Sequence, residues 1–342
     1  MVRSQADKLA PLVSIFCFCK NDVKNIHACI DSILNQSYPH LEIVVQDGAS
    51  TDGTLEALQS YGDRISLISE TDKSPKEAFY KALRRCQGDI IGSCLCDEKL
   101  LPDAVKLAVQ QFQLYPECGG VYGDTLIAEP GKPLWRKKER ESFSVYAYLS
   151  REVHFHFCSF FMRRDALEAV GLHTRLWRES AAEFELVSRL GLGFPLRHIP
   201  EVLSIYTQAP QGLSQQPGNL KAFAESMESF VDELCTESSC PPEIKAAKDR
   251  IHSTMALKTA EALLPHMPET TELLLAKAGL HTPDPDSYFK LRRRFRKNVG
   301  RNPQCPFWGP WKKLAVHVCR KKIRSWTKLP RTLIQNFRRR AA

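Results

Sequence analysis

Residues 41–54 read Leu41-Glu42-Ile43-Val44-Val45-Gln46-Asp47-Gly48-Ala49-Ser50-Thr51-Asp52-Gly53-Thr54. An apolar strand pattern runs directly into a turn rich in Asp, Gly and Ser. Asp52 or Thr54 then offers an N-cap for a helix through Leu58. A second stretch, residues 88–98, repeats the design: the strand pattern Asp89–Leu95 leads into Cys96-Asp97-Glu98. Around these, Leu12–Phe18, Ile65–Ile68 and Gly120–Tyr122 read as further strands. Ile26–Asn35 carries Ile26, Ile30, Ile33 and Leu34 at helical spacing, and helices are expected at Lys76–Cys86 and Asp103–Phe112. Strands alternating with helices predict an α/β layered sheet with largely parallel strands. Ligands of such sheets bind beyond the carboxyl ends of the strands. Asp47, Asp97 and Glu98 are therefore expected at one crevice. Carboxylates at a strand end suit Mg²⁺ or Mn²⁺ holding a diphosphate. Each stretch taken alone also reads as an ordinary Asp/Gly turn.

Further along, residues 126–152 are polar and read as an irregular loop. Phe157–Arg163 returns to strand, Ala181–Leu190 to helix and Leu196–Tyr206 to strand. Prolines and glycines at 208–219 mark a boundary. Residues 220–280 read as helical, with one apolar stripe of Leu220, Phe223, Met227 and Phe230 and another of Ala256, Ala260, Leu263 and Leu264. The expected organisation is an N-terminal extension at 1–11, a sheet domain at 12–214, a helical region at 215–283 and a basic tail at 284–342.

The chain of 342 residues has 43% hydrophobic and 25% charged residues, an ordinary globular composition that argues against wholesale disorder. No apolar run reaches the roughly 18–20 residues that span a bilayer. The first ten residues lack a signal-peptide core, so a cytoplasmic protein is expected. The 12 cysteines include no CxxC pair. Cys17, Cys29, Cys94 and Cys96 lie in apolar surroundings and read as buried free thiols rather than disulfides. The net charge of +9 hides a split. Residues 281–342 hold 18 Lys/Arg against 2 Asp/Glu, which leaves the rest of the chain acidic. Such a tail seeks a polyanion, either anionic lipid or nucleic acid. Trp308, Trp311, Leu314, Val318 and Trp326 interleaved with Lys312, Lys313 and Arg320-Lys321-Lys322 suit an interfacial helix on anionic lipid.

The ordered set of motifs resembles family 2 glycosyltransferases with the GT-A fold, over about residues 12–214. The matching residues are Val13-Ser14-Ile15 through Asn21, Ser32 to Tyr38, Glu42 to Val45, Asp47 to Thr54, Ser69-Glu70-Thr71-Asp72, Gly88 to Gly92, and Asp97-Glu98 with Pro102. Later come Phe161 to Arg164, Val170-Gly171 and the segment Glu183-Phe184-Glu185-Leu186 with Arg189-Leu190. The resemblance implies a GT-A (Rossmann-like) layered mixed sheet, followed by the helical region and tail. It implies an inverting transferase that moves a sugar from a nucleotide-sugar, expected to be a UDP-sugar. The acceptor would be a saccharide or lipid-linked molecule in envelope or surface-polysaccharide synthesis. It places Phe18, Cys19, Asn21, Asp47, Asp72, Lys73 and Asp97 against the donor. Asp97 and Glu98 would bind Mg²⁺ or Mn²⁺, and Glu183 would be the base that deprotonates the acceptor. Lipid is then the expected partner of the tail, ahead of nucleic acid, at the cytoplasmic face of a membrane.

The chain departs from the family pattern at Leu95, where the aspartate motif usually begins with an acid, and at Gly48, where a second aspartate often follows Asp47. Those departures motivate a competing reading, a catalytically weak nucleotide-sugar-binding scaffold recruited to the membrane. A nucleotidyltransferase would carry a Gly-rich loop where Cys19-Lys20-Asn21-Asp22 stands. Other residues stay open at this level. His154 and His156 could share a strand face, as a metal pair or as surface groups. Trp177 and Arg178 could line an acceptor pocket or simply pack. Glu185 competes with Glu183 for the role of base, and only one of two residues two apart on a helix faces a crevice.

Overall fold

A computed structural model describes residues 10–171, 181–208, 216–264, 266–281 and 284–299. In chain order the elements are β1 (Val13–Cys19), α1 (Ile26–Leu34), β2 (Leu41–Asp47), α2 (Thr54–Gln59), β3 (Ser66–Ser69), α3 (Pro75–Arg85), β4 (Ile90–Ser93), β5 (Glu98–Leu100), α4 (Ala104–Leu114), β6 (Gly120–Ala128), β7 (Trp135–Lys137) and α5 (Val145–Leu149). There follow β8 (Phe160–Arg163), α6 (Arg164–Ala169), α7 (Ala182–Gly193), β9 (Leu196–Thr207), α8 (Pro217–Thr236), α9 (Pro242–Ala246), α10 (Lys248–Leu263), α11 (Pro268–His281) and α12 (Pro285–Val299).

The strands form one mixed sheet in the order β3-β2-β1-β4-β8-β6-β9-β5, with β7 paired to β6. The half from β3 to β4 is parallel, as the alternation of strands and helices predicts. The other half is not: β8 enters antiparallel between β4 and β6, and β5 and β7 are antiparallel edge strands. Glycines make room for β8. A Cβ on Gly92 of β4 would come within 2.8 Å of the Phe161 ring, and one on Gly120 of β6 within 2.7 Å of the Phe160 ring. Strand pattern alone reports apolar runs and not their direction, so this reversal was hidden.

Both faces of the sheet are buried, which is why β1 is a nearly continuous apolar run. Val13, Ile15, Cys17 and Cys19 pack with α1 and α4, while Phe16 packs on the opposite face with α3 and the helices that follow. The ten cysteines among the described residues are free. The Cys29 and Cys94 sulfurs lie 3.6 Å apart. The neighbouring thiols, Cys29 for Cys17 and Cys96 for Cys19, together with burial push both thiols upward, so they remain protonated packing groups.

Residues 126–152 hold more order than a loop. β6 continues to Ala128, β7 returns along it, and α5 follows with Ser144 capping the Ala147 N–H. Arg136, a charged residue that blurs the strand pattern, anchors β7: it donates from Nε to the buried Asp124 at 2.6 Å and from its guanidinium to the Pro200 carbonyl at 2.8 Å. Phe157–Ser159 is a single 3-10 turn before β8. The apolar residues Met227, Phe230, Val231 and Leu234 of α8 and Ile251 and Met255 of α10 share one core with Phe184, Leu186, Val187 and Leu190 of α7. The chain up to Leu291 is accordingly one compact unit, and α12 runs past its limit. The aromatic part of the basic tail, residues 301–342, lies outside the described residues.

Candidate functional site

The carboxyl ends of β1 and β2 are laced together by short polar side chains. Asp47 is fully buried. It accepts hydrogen bonds from the Ser50 N–H at 3.0 Å, the Ser69 hydroxyl at 2.6 Å and the Ser50 hydroxyl, with the Cys19 thiol at 3.8 Å. Asn21 adopts the left-handed conformation that Asn tolerates. Its N–H donates to the Ser50 hydroxyl at 2.8 Å, and its Oδ1 accepts the Thr51 N–H at 2.9 Å. Asp52 accepts from the Thr54 N–H at 3.1 Å and from the Val23 N–H at 3.1 Å, so it joins the same two loops. A Cβ at Gly48 would stand 3.3 Å from the Lys20 side chain, a close approach that the lysine would have to yield to. Phe18 is half-buried, edge-on to Phe79 at 6.1 Å.

Asp72 is held by Lys81, whose Nζ lies 2.7 Å from Oδ1 and 3.0 Å from Glu70. Three polar atoms on this side, Asp72 Oδ2, Gln46 Oε1 and Ser93 Oγ, are buried with no hydrogen-bond partner. Buried polar atoms are almost always satisfied, so an incomplete set points to a ligand or water. Lys73 is exposed, and its N–H donates to Glu77 at 2.6 Å.

The loops around the ends of β5 and β9 and the start of α7 are acidic. The Thr207 N–H at the end of β9 donates to the Asp97 carbonyl at 2.9 Å, and the Gln208 N–H donates to Ala128 at the end of β6. Asp97 is half-buried; burial and the nearby Asp22 push its carboxyl upward. Glu98 is buried, and its carboxylate accepts the Leu95 N–H at 2.7 Å while its own N–H donates to the Leu95 carbonyl at 2.9 Å. This closed turn puts Leu95 to use through its backbone. Burial, and to a lesser degree the charges of Asp97 and Glu183, push Glu98 up to about 8. Glu183, in the first turn of α7, is pushed up to about 7 by burial and by Asp97. The charge of Asp97 therefore reaches both its sequence neighbour Glu98 and Glu183, which comes from a distant part of the chain.

Glu185 is occupied elsewhere. Its carboxylate is 2.9 Å from Arg189 Nε, and the two other guanidinium nitrogens reach Glu237 at 2.9 and 3.1 Å. This buried pair ties α7 to the end of α8. It leaves Glu183 as the α7 carboxylate in the acidic group. Tyr148, stacked on Phe184 at 5.3 Å, is pushed upward by burial and by Glu183.

Among the described residues no three His, Cys, Asp or Glu side chains converge as a metal site. An open site asks for less: Mg²⁺ commonly takes one or two carboxylates and completes its shell with substrate phosphates and water. Asp97 fits that need, and the mutual repulsion around it favours a cation. Glu98 has one oxygen committed to Leu95. His154 and His156 do not share a strand; their rings meet edge-on at 5.7 Å, and His156 stacks on Tyr206 at 4.6 Å. Burial and Lys137 hold His156 down at about 4, so it is neutral at pH 7. Trp177 and Arg178 lie outside the described residues. Sequence reasoning missed Lys81, Gln46, Ser93 and Asp22, single polar residues with no spacing signature. It also missed Tyr206, which looked like the end of a strand.

Residues 14–171 match glycosyl transferase family 2. Chondroitin synthase of Escherichia coli is 38% identical over 115 residues, 33% of this chain and 17% of that protein. The putative teichuronic acid biosynthesis glycosyltransferase TuaG of Bacillus subtilis is 33% identical over 129 residues, 36% of this chain and 51% of that protein. The matches thus span from a sixth to a half of these curated relatives. Among solved structures, S. aureus TarS 1–349 in complex with UDP-GlcNAc has a TM-score of 0.58 at 14% identity, covering 84% of this chain and 92% of that one. The mannosyltransferase PcManGT from Pyrobaculum calidifontis, in complex with GDP-Man and Mn²⁺, has a TM-score of 0.54 at 20% identity, covering 86% and 81%. These likenesses show the fold, a GT-A mixed sheet followed by helices.

Proposed function

We propose that this chain, whose residues 14–171 match glycosyl transferase family 2, transfers a sugar with inversion from a nucleotide-sugar to a saccharide or lipid-linked acceptor. The donor is a UDP-sugar, and the product belongs to surface-polysaccharide synthesis. The observation that carries the reading is that Glu183 is buried within reach of the charge of Asp97 and is pushed up to about 7. A sugar hydroxyl is a weak nucleophile, and a carboxylate with a pKa near the working pH is well matched to take its proton. Glu183 is that base. Asp97 lies across the crevice, where the leaving diphosphate gains charge.

The donor end is built by β1 and β2. Asp47, Ser50 and Asn21 fix the shape of the two loops, and Phe18, Cys19 and Asp72 line the nucleotide side, with Lys73 at its exposed edge. Asp97 would hold Mg²⁺ or Mn²⁺, which supplies Lewis-acid stabilisation to the leaving group when bound. Glu98, tied to Leu95, shapes the turn that presents Asp97 and is the second candidate ligand. No helix among the described residues is long and apolar enough to cross a membrane. The basic tail would bring the protein to anionic lipid, each Lys or Arg contributing about 1 kcal/mol near such a surface.

A thermal-shift panel of UDP-, GDP-, CMP- and dTDP-sugars with and without Mn²⁺ tests this reading, because a ligand that binds only the folded state raises the melting temperature. The expected result is a Mn²⁺-dependent rise with UDP-sugars that Asp97→Ala removes. No shift with any sugar nucleotide would refute it. A shift without turnover would favour the scaffold reading motivated by Leu95 and Gly48.

A further inference from the structure

The register of the mixed half of the sheet places four residues in one row. Glu98 of β5 pairs with Tyr206 of β9, Tyr206 pairs with Ile127 of β6, and Ile127 pairs with Trp135 of β7. Directly paired residues project from the same face of a sheet. Neighbouring strands lie about 4.8 Å apart, so the row extends about 14 Å from Glu98 to Trp135. It starts beside the reacting carboxylates. It passes Tyr206, whose ring is stacked with His156 at 4.6 Å, and then Ile127, which is buried, so the exposed positions of the row are separate rather than continuous. It ends on Trp135, which is 46% exposed.

Trp135 is a fixed platform. Its indole N–H donates to Glu129 at 2.9 Å across the hairpin. The next residue, Arg136, is bound to Asp124 and Pro200, and Lys137 to Glu139. An exposed aromatic on a three-residue edge strand adds nothing to the core, yet four hydrogen bonds, three to side chains and one to a backbone carbonyl, hold its strand in place. Aromatic faces pack against the C–H faces of sugar rings, and a rigid platform binds without paying to be ordered.

We propose that this row is an acceptor track: the face formed by Tyr206 and His156 receives the sugar nearest the carboxylates, and Trp135 carries a sugar further along an oligosaccharide. The proposal rests on the glycosyltransferase reading and adds to it a preference for oligosaccharide over monosaccharide or disaccharide acceptors. It also gives the β6–β7 hairpin a role in that selection.

Binding, measured without turnover, keeps the two ideas separable. The probes are di-, tetra- and hexasaccharides of chondroitin, of hyaluronan and of β-1,6-linked glucosamine, titrated calorimetrically into the full chain and into Trp135→Ala and Trp135→Phe. The full chain should bind the hexasaccharide of one series more tightly than its disaccharide. Trp135→Ala should weaken the hexasaccharide by about three- to tenfold with little change for the disaccharide, and Trp135→Phe should recover most of the loss. Intrinsic fluorescence of the full chain should change on hexasaccharide binding, and that change should shrink in Trp135→Phe. Equal length preference in Trp135→Ala and the full chain, or no length preference in any series, overturns the track. Failure of the full chain to release nucleoside diphosphate from any donor would instead overturn the glycosyltransferase reading, whatever the titrations give.

Discussion

The two halves of the sheet treat their carboxylates in opposite ways. On the parallel half, Asp47, Asp52 and Asp72 are each held by hydroxyls, backbone N–H groups or a lysine. On the mixed half, no lysine or arginine among the described residues pairs with Asp97, Glu98 or Glu183, and burial with nearby like charge pushes all three carboxyls upward. The first arrangement fixes loop shape. The second leaves groups poised to take a proton or meet a cation. A crevice with one rigid wall and one reactive wall is what donor binding followed by base-assisted attack requires.

Substitutions should separate these walls. The largest effect is expected on the reactive side: Asp97→Ala and Glu183→Ala should each lower transfer at least ~100-fold while the melting temperature stays within a few degrees. A comparable loss in Glu185→Gln would break the comparison, because Glu185 is assigned to Arg189. Next comes the brace between α7 and α8. Arg189→Ala strands buried Glu185 and should cost about 3–5 kcal/mol in denaturant unfolding. On the rigid wall, Ser50→Ala removes a donor from buried Asp47 and should cost about 1–3 kcal/mol, read in the same way.

Acidity gives a smaller signal. With Glu183 as the proposed base, the deprotonated form is the one that works, so kcat/KM is predicted to fall as pH drops below about 7. Stability runs the other way. The folded state keeps the Glu183 proton that the unfolded chain releases, between the ordinary 4.5 and about 7. That contribution is present below this window and is lost as pH rises through it. Urea midpoints of donor-free protein should therefore fall with pH across the window, and less steeply in Glu183→Gln. The mildest expected effect is on localisation: deletion after Pro303 should weaken binding to anionic liposomes in a salt-dependent way, with neutral liposomes as the control.

The sequence made the parallel half legible because its strands are continuous apolar runs that end in Asp/Gly turns. β1, β2 and β4 were expected within a residue or two, and Asp47 and Asp97 stood where strand ends place ligands. The mixed half was harder. The direction of β8 depends on Gly92 and Gly120 yielding space to Phe161 and Phe160, a contact between distant positions. β7 was concealed because Arg136 and Lys137 read as solvated charge, although Arg136 reaches buried Asp124. The choice between Glu183 and Glu185 needed Arg189 and Glu237, which lie one turn and more than 40 residues away along the chain. Periodicity finds elements, but it does not show which carboxylate has found a partner.

The most direct test compares acceptor-dependent release of UDP by the full chain and by Glu183→Gln, with Mn²⁺, the UDP-sugar selected by thermal shift and an oligosaccharide acceptor. Glu183→Gln keeps the shape of the side chain and removes its basicity. The account predicts donor binding close to that of the unaltered chain and turnover lower by ~100-fold or more. Turnover at the unaltered rate would contradict it, because the proton would then be leaving by another route.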